Sequence, residues 1–481
     1  MAAPALKRGL RFRDLALFYV VSGLSVRWTA SAAAAGPSIL VIWIAALTCF
    51  FIPLAASVME LSSRHPQEGG IYIWTREAFG DFPGFIAAWT YWMSNLPYFP
   101  GVLYFGAASA LFAFGPRAQA LAADPLYYVV FSVFWLAVIT LFNIFGVDWG
   151  KWFNNLSALG GLVPLAALFL LSALSILRFG PALHLSAATL APHWTLKNAI
   201  FWSTVFFAFG GVEAGSAMGD EIQNPRRVIP WAILVGGSVL AVGYIAGTAA
   251  LLFTLPSSAV DGPDGFINGI HLLSARLGLG WLLSPVALLV ALNAVGGAAA
   301  YLSSTSRLPF VAGIHHYLPS VFARVHPRFR TPWVAIGAYG LAGICVALLG
   351  QAGTTVRGAY EVLVSMSIIA YFLPYLLLFA AMIRLQSRPA GPEVRRVPGG
   401  KPVALALGVI GLASTGLTIL LSVVPAADEV NKPLAVAKII GGTLLLVGAG
   451  VAVFIGSGLK ARRQPKSTTG PEPPSALRPS E

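Results

Sequence analysis

The chain has 481 residues, of which 57% are hydrophobic and only 10% charged, with a mean hydropathy of +0.77 and a formal net charge of +13. Soluble globular proteins carry roughly 25% charged residues, so this chain cannot cover itself with polar surface and most of it must be solvated by lipid. The same numbers exclude disorder, collagen-like repeats and disulfide-stapled secreted domains.

A spanning helix needs about 20 mostly apolar residues. Runs of that kind fall in chain order near 15–38, 39–61, 83–113, 126–147, 153–177, 197–218, 231–255, 281–306, 332–350, 359–383, 402–424 and 435–457, about twelve in all. A Gly36-Pro37 turn separates the first two, which predicts a tight hairpin. A cleavable signal peptide is the rival reading of the basic residues 7–13, the apolar run from Leu15 and the small triplet Ala30-Ser31-Ala32. Its removal would spoil the charge split: with the N-terminus inside, 23 of the 31 Lys and Arg residues fall in inside segments and 7 outside. That bias predicts a multi-pass protein of the plasma (inner) membrane with both termini cytoplasmic. It also accounts for the basic excess without a nucleic-acid partner. The tail after Lys460 is Pro/Ser-rich and reads as disordered. Cys49 and Cys345 lie in apolar stretches, and the seven histidines lie in loops or at span ends, with His315-His316 expected to be solvated. Neither a thiolate site nor an intramembrane histidine site for haem or zinc is expected.

Spans one and six share an interruption. The first carries Ser22-Gly23-Leu24-Ser25 near its middle, and the sixth carries Gly210-Gly211 after Phe207 and Phe209. Glycine costs about 1 kcal/mol in a helix relative to alanine. Irregular backbone at membrane depth is tolerated only where it is buried in protein or lines a cavity. Small residues that merely allow close helix packing are the plainer reading of either site alone. Five spans separate the two, however, so the helices cross in opposite senses, the arrangement that marks a secondary transporter's binding site. Unwinding is expected at 22–25 and at 209–212. Freed amides there suit a carboxylate, and freed carbonyls suit an ammonium group or a cation.

These interruptions, the FAFGGVE of span six, ELSSRHPQEGGIYIWTREAFG after span two, DEIQNPRRVIPWAI after span six and SRLPFVAGIHHYLPSVFARVHPRFRTP between spans eight and nine resemble the amino acid–polyamine–organocation permeases. The resemblance covers roughly residues 10–460. It implies an all-α polytopic fold with a five-plus-five inverted-repeat core, discontinuous helices one and six, and alternating access about a central site. The corresponding division is a tail over 1–14, a first five-helix repeat over 15–177, an inverted second repeat over 197–384, two additional helices over 402–457 and a tail over 458–481. Two departures stand out. The usual G-[SA]-G of span one is Ser22-Gly23-Leu24-Ser25 followed by Arg27, and the span-five lysine of some proton-coupled members aligns near Gly161.

Arg27 and Glu213 are the charges placed clearly near membrane depth, each just beyond a break. A charge there costs about 2.5–3.5 kcal/mol on insertion scales and reads as functional by default. The two admit a gating ion pair, an Arg27 that attracts an anionic substrate group, or an Arg27 that snorkels outward. Glu213 stands at a position the resembling family uses for gating or proton coupling. Span three offers Tyr91, Asn95 and Tyr98, and span eight offers Asn293, with Ser303 and Ser304 towards its end as a possible ion site. Glu68 and Gly69-Gly70 read as structural. The expected substrate-binding set is therefore Ser22, Gly23, Leu24, Ser25, Asn95, Tyr98, Phe207, Phe209, Gly210, Gly211 and Asn293. The expected function is secondary transport of an amino acid or related amine, by symport or exchange with Na+ or H+ as the possible coupling ion and no other cofactor. A channel or a non-transporting sensor on the same fold is the alternative. No enzyme is expected, and monomer and homodimer remain open.

Overall fold

A computed structural model describes residues 6–192, 195–262, 264–350, 356–423 and 432–463 of the chain. These residues are helical throughout apart from loops, and one isolated bridge joins Leu10 to Ile222. Helix α1 (Phe12–Gly23) starts where the Asp14 carboxylate accepts the Arg11 amide at 3.1 Å. It ends where Leu24 turns extended (φ −83°, ψ 95°), and α2 (Arg27–Ala34) resumes the crossing. Gly36, at φ +90°, makes the expected hairpin turn into α3 (Ile39–Arg64).

The short α4 (Ile71–Phe79) leads into α5 (Asp81–Leu111), which stays helical through Pro97 and Pro100. There follow α6 (Pro125–Ile144), α7 (Val147–Phe179) and α8 (Leu196–Ala208), which stops before Gly210-Gly211 and continues as a 3-10 segment (Ala214–Glu221). After α9 (Pro225–Thr254), the short α10 (Gly265–Arg276) precedes α11 (Leu283–Thr305). The short α12 (Arg307–Ile314) precedes α13 (Trp333–Gly350), and α14 (Val356–Leu385), α15 (Gly400–Ser422) and α16 (Lys432–Arg463) complete the chain.

Eight of the described helices are long and apolar enough to cross a membrane, and Trp333–Leu348 and Thr443–Ser457 are shorter apolar ones. The third expected run is the 31-residue α5, whose tyrosines, prolines and Asn95 keep its hydropathy down. The sixth is the interrupted α8 with its 3-10 continuation. The last helix runs to Arg463, past the 458 boundary expected for the tail. Residues 464–481 of that tail lie outside the described residues.

The packing pairs show how the halves relate. Among the most extensive contacts, α5 lies against α14 and α7 against α11, while α5 meets α11 and α6 meets α13. Moving five spans along the chain exchanges the first two pairs and returns the last two to themselves. Two short helices, α4 and α10, follow the second and seventh crossings in the same way. Close approach of α7 and α11 depends on glycine: a Cβ on Gly160 would stand 2.6 Å from the Leu289 carbonyl, and one on Gly296 2.1 Å from Ser157 Cβ.

Candidate functional site

The two breaks meet. Ser22 Oγ donates to the Gly211 carbonyl at 3.4 Å. Gly211 sits at φ +113°, and a Cβ there would stand 2.9 Å from Tyr301 Oη and 3.2 Å from the Ser22 carbonyl. Only glycine combines that backbone with that approach. The interruption in span one is narrower than expected: Ser22 and Gly23 still form the last turn of α1, and 24–26 alone leave the helix. Its exposed groups are satisfied by Tyr244 of α9, whose hydroxyl donates to the Gly23 carbonyl and accepts the Ser25 amide at 3.1 Å. In span six the helix stops at Ala208 and the chain is irregular over 209–213.

Between the breaks lies a small cavity lined from span one by Ser22, Gly23, Ser25 and Trp28, and from α5 by Asn95 and Tyr98. Phe207, Ala208 and Gly210 line it from span six, with Tyr301 from α11 and Tyr371 from α14. The cavity has room for roughly one water. The Ser25 hydroxyl is buried there with no partner among the described residues. Aromatic rings form most of the wall: Tyr98 meets Tyr301 edge-on at 4.9 Å, and Phe207 meets Trp28 at 5.7 Å and Tyr371 at 5.1 Å.

Hydroxyls run from this wall to Glu213. Tyr301 and Tyr371 hydroxyls are 3.0 Å apart, and Tyr371 donates to Glu213 Oε1 at 2.8 Å. Tyr91 donates to the same oxygen at 2.5 Å, and the Gly211 amide donates to Oε2 at 3.0 Å. The carboxylate is 2% exposed and is held by three neutral donors rather than by a cation. Arg27 is 3% exposed and makes no ion pair among the described residues. Its guanidinium carbon lies 4.1 Å from the Trp28 ring centre and 5.5 Å from that of Tyr98. The gating pair between Arg27 and Glu213 is thus not formed in this structure. Glu213 already spends its oxygens on Tyr91, Tyr371 and the Gly211 amide.

Several expected residues face elsewhere. Leu24 points at α9, where its Cδ1 would lie 3.0 Å from a Cβ on Gly243. Phe209 turns from the cavity onto Phe51, Trp43 and Tyr244, at 5.0, 5.2 and 5.7 Å. Asn293 faces α7, where its Nδ2 donates to the Ser157 carbonyl at 3.3 Å and covers the backbone of Gly161. The missing side chain at Gly161 creates the space that the amide fills. Ser303 and Ser304 do not meet the span-one break: Ser303 Oγ contacts Met218 Sδ at 3.7 Å, and Ser304 Oγ bonds the Tyr301 carbonyl of its own helix at 3.4 Å.

Charge is also buried where none was expected. Arg307, 2% exposed, binds Glu221 through Nη2 at 2.8 and 3.1 Å and lies 3.9 Å from Glu68. Glu68 Oε2 accepts the Asp220 amide at 3.0 Å. Burial, and next the neighbouring Glu221 carboxylate, push the Glu68 carboxyl well above the usual range, against the pull of Arg307. The N-terminal segment closes over this cluster, with the Gly9 and Leu10 amides donating to the Glu221 carbonyl at 3.0 Å each. Glu60 is likewise buried and holds Arg64, Gln386 and the Val397 amide. His315, expected in solvent, is half-buried with Nδ1 2.7 Å from the Tyr72 hydroxyl. Tyr244, Tyr301, Tyr371 and Trp28 were missed because an aromatic residue within a span looks the same whether it faces lipid, a neighbour or a cavity.

Facing helix breaks among apolar helices long enough to span a membrane define the discontinuous-helix architecture of secondary transporters. The sequence profile of the amino acid permeases matches residues 14–445, and the chain belongs to that family. It is 27% identical over 448 residues to an uncharacterized transporter of Legionella pneumophila, covering 92% of this chain and 95% of the relative. It is 24% identical to a probable agmatine/putrescine antiporter of Lactococcus lactis, over 76% of this chain and 77% of that one. With a serine/threonine exchanger of Bacillus subtilis it shares 26% identity over 70% of this chain and 73% of the relative. The chain is an integral membrane transporter, not an enzyme.

Proposed function

We propose that this permease carries an amino acid or a related amine by alternating access through the cavity between the two breaks. The observation that carries the proposal is the direct contact of the breaks, Ser22 Oγ on the Gly211 carbonyl at 3.4 Å, beside the unpartnered Ser25 hydroxyl. The first turn of α2 offers the positive end of a helix to a carboxylate, and the carbonyl ends of α1 and α8 suit an ammonium group. With room for about one water, the cavity must widen to admit a solute, as an occluded site does when one half rocks against the other. Names of relatives range from diamines to hydroxylated amino acids, so likeness alone does not choose the substrate.

Glu213 is the proposed coupling or gating group, since it links Tyr91, Tyr371 and the span-six break. Proton coupling suits a buried carboxylate at the span-six break, and no contact brings Ser303 or Ser304 to span one among the described residues. The basic bias of the loops supports a plasma-membrane orientation with the N-terminus and the Arg307 cluster on the cytoplasmic side. Purified protein in liposomes, loaded with unlabelled solute and tested for counterflow of labelled amino acids and amines, with and without Na+ or a pH gradient, tests the reading. Saturable counterflow is expected. Solute flux without trans-stimulation would replace the carrier with a channel.

A further inference from the structure

We infer that Arg27 selects a substrate carrying a second anionic group, such as an acidic amino acid, and works against diamines. The inference rests on the carrier reading above and concerns the same cavity. A guanidinium does not lose its proton in a protein, and burying one without a counter-charge is strongly unfavourable. Arg27 is 3% exposed, and its Nε and Nη1 have no hydrogen-bond partner among the described residues. Two rings that line the cavity, Trp28 and Tyr98, flank its guanidinium at 4.1 and 5.5 Å. Such cation–π contacts orient a cation and offset part of its desolvation, but leave its N–H donors free.

Glu213, the carboxylate of the same region, is fully engaged by Tyr91, Tyr371 and Gly211. The buried carboxylates Glu68 and Glu221 are engaged around Arg307. The protein thus supplies a buried cation directly behind two rings of the cavity wall, reached when the cavity widens, and no anion to neutralise it among the described residues. The α-carboxylate of an amino acid has the backbone of the break and the Ser25 hydroxyl available to it. The fork of Arg27 then remains for a side-chain carboxylate, which it matches with paired N–H donors. A solute with two ammonium groups would meet an uncompensated positive charge at the same place.

The test uses the full chain in liposomes, with binding read by ligand-induced thermal stabilisation and transport by counterflow. The probes are L-glutamate and L-aspartate, their amides glutamine and asparagine, and putrescine and agmatine. Wild-type protein is expected to bind at least one acid tenfold or more tightly than its amide, and neither diamine measurably. R27Q should lose that preference while changing amide binding less than threefold, and R27K should keep part of it. Because acid and amide share the α-carboxylate, equal weakening of both by R27Q would assign Arg27 to the backbone end of the solute and overturn the inference. Should R27Q not fold, the wild-type ranking and R27K decide, and diamine or amide binding equal to that of the acids overturns it. Counterflow of a neutral solute or a diamine without an acid would keep the carrier and remove the inference. Binding of an acid without counterflow of any probe would do the reverse.

Discussion

At the scale of single residues, Glu213 shows how a carboxylate is kept at membrane depth without a cation. Hydrogen bonds to a charged group contribute about 1.5–3 kcal/mol each, and Glu213 receives three, from Tyr91, Tyr371 and Gly211. Glu213→Gln keeps one oxygen for both tyrosines but sets an amide N–H against the Gly211 N–H, leaving a buried donor unpaired at about 1–3 kcal/mol. Thermal unfolding should therefore come at lower temperature, and counterflow should slow. An unchanged rate would remove Glu213 from coupling and gating. Tyr371→Phe deletes one donor to the carboxylate and takes from the buried Tyr301 hydroxyl its partner at 3.0 Å, so it should cost about 1.5–3 kcal/mol, measured by the same melts.

Among elements, the broken first span depends on its neighbour more than on itself. Leu24 to Val26 lie outside any helix, in a setting where water cannot complete the backbone hydrogen bonds. The hydroxyl of Tyr244 on α9 serves both sides of the gap, accepting the Ser25 amide and donating to the Gly23 carbonyl. Tyr244→Phe should cost about 1–3 kcal/mol, because the Ser25 amide and the Gly23 carbonyl then keep only their mutual 3.2 Å bond. Its effect should appear as faster hydrogen exchange at the amides of 24–27, with the α13 amides unchanged. A variant that melts and exchanges like wild type would mean that the break is held by other contacts.

For the whole molecule, the face carrying the N-terminus is locked by buried charge and by the N-terminal segment laid over it. Glu68 illustrates the pH consequence. A carboxyl raised in the folded state binds its proton more readily there than in the unfolded chain, so stability falls as pH rises from the unfolded value towards the folded one. The fall should be visible as a declining Tm as pH rises above the ordinary carboxylate range, and Glu68→Gln, neutral at every pH, should flatten it. A slope equal to that of wild type would place the titration elsewhere. Removing residues 1–10 deletes the amides that bind the Glu221 carbonyl. That truncation should raise hydrogen exchange across 214–223 by tenfold or more and leave α11 protected; equal protection would show that the strap does not hold this face.

Much of the architecture is legible without coordinates. Composition assigns the solvent, apolar runs assign the crossings, and Ser22-Gly23 and Gly210-Gly211 mark the interruptions, because lipid penalises any backbone group that is not paired internally. These are local properties, carried by each stretch of chain wherever it packs. The direction in which a side chain points is not local. Where the chain leaves the helix at 24–26, the extended backbone of Leu24 sends neighbouring side chains apart, so Ser25 reaches the cavity while Leu24 fills the space above Gly243. Asn293 reads as a binding residue until α7 brings Gly161 beneath it, and Tyr301 and Tyr371 read as span residues until α11 and α14 set their hydroxyls 3.0 Å apart. Whether Arg27 meets Glu213 also depends on the placement of two helices running in opposite senses. The sequence by itself determined that the chain crosses a membrane many times and is interrupted in two spans five crossings apart. Only the tertiary structure decided which residues share the cavity, because rotation and approach of helices are set by the partners they pack against.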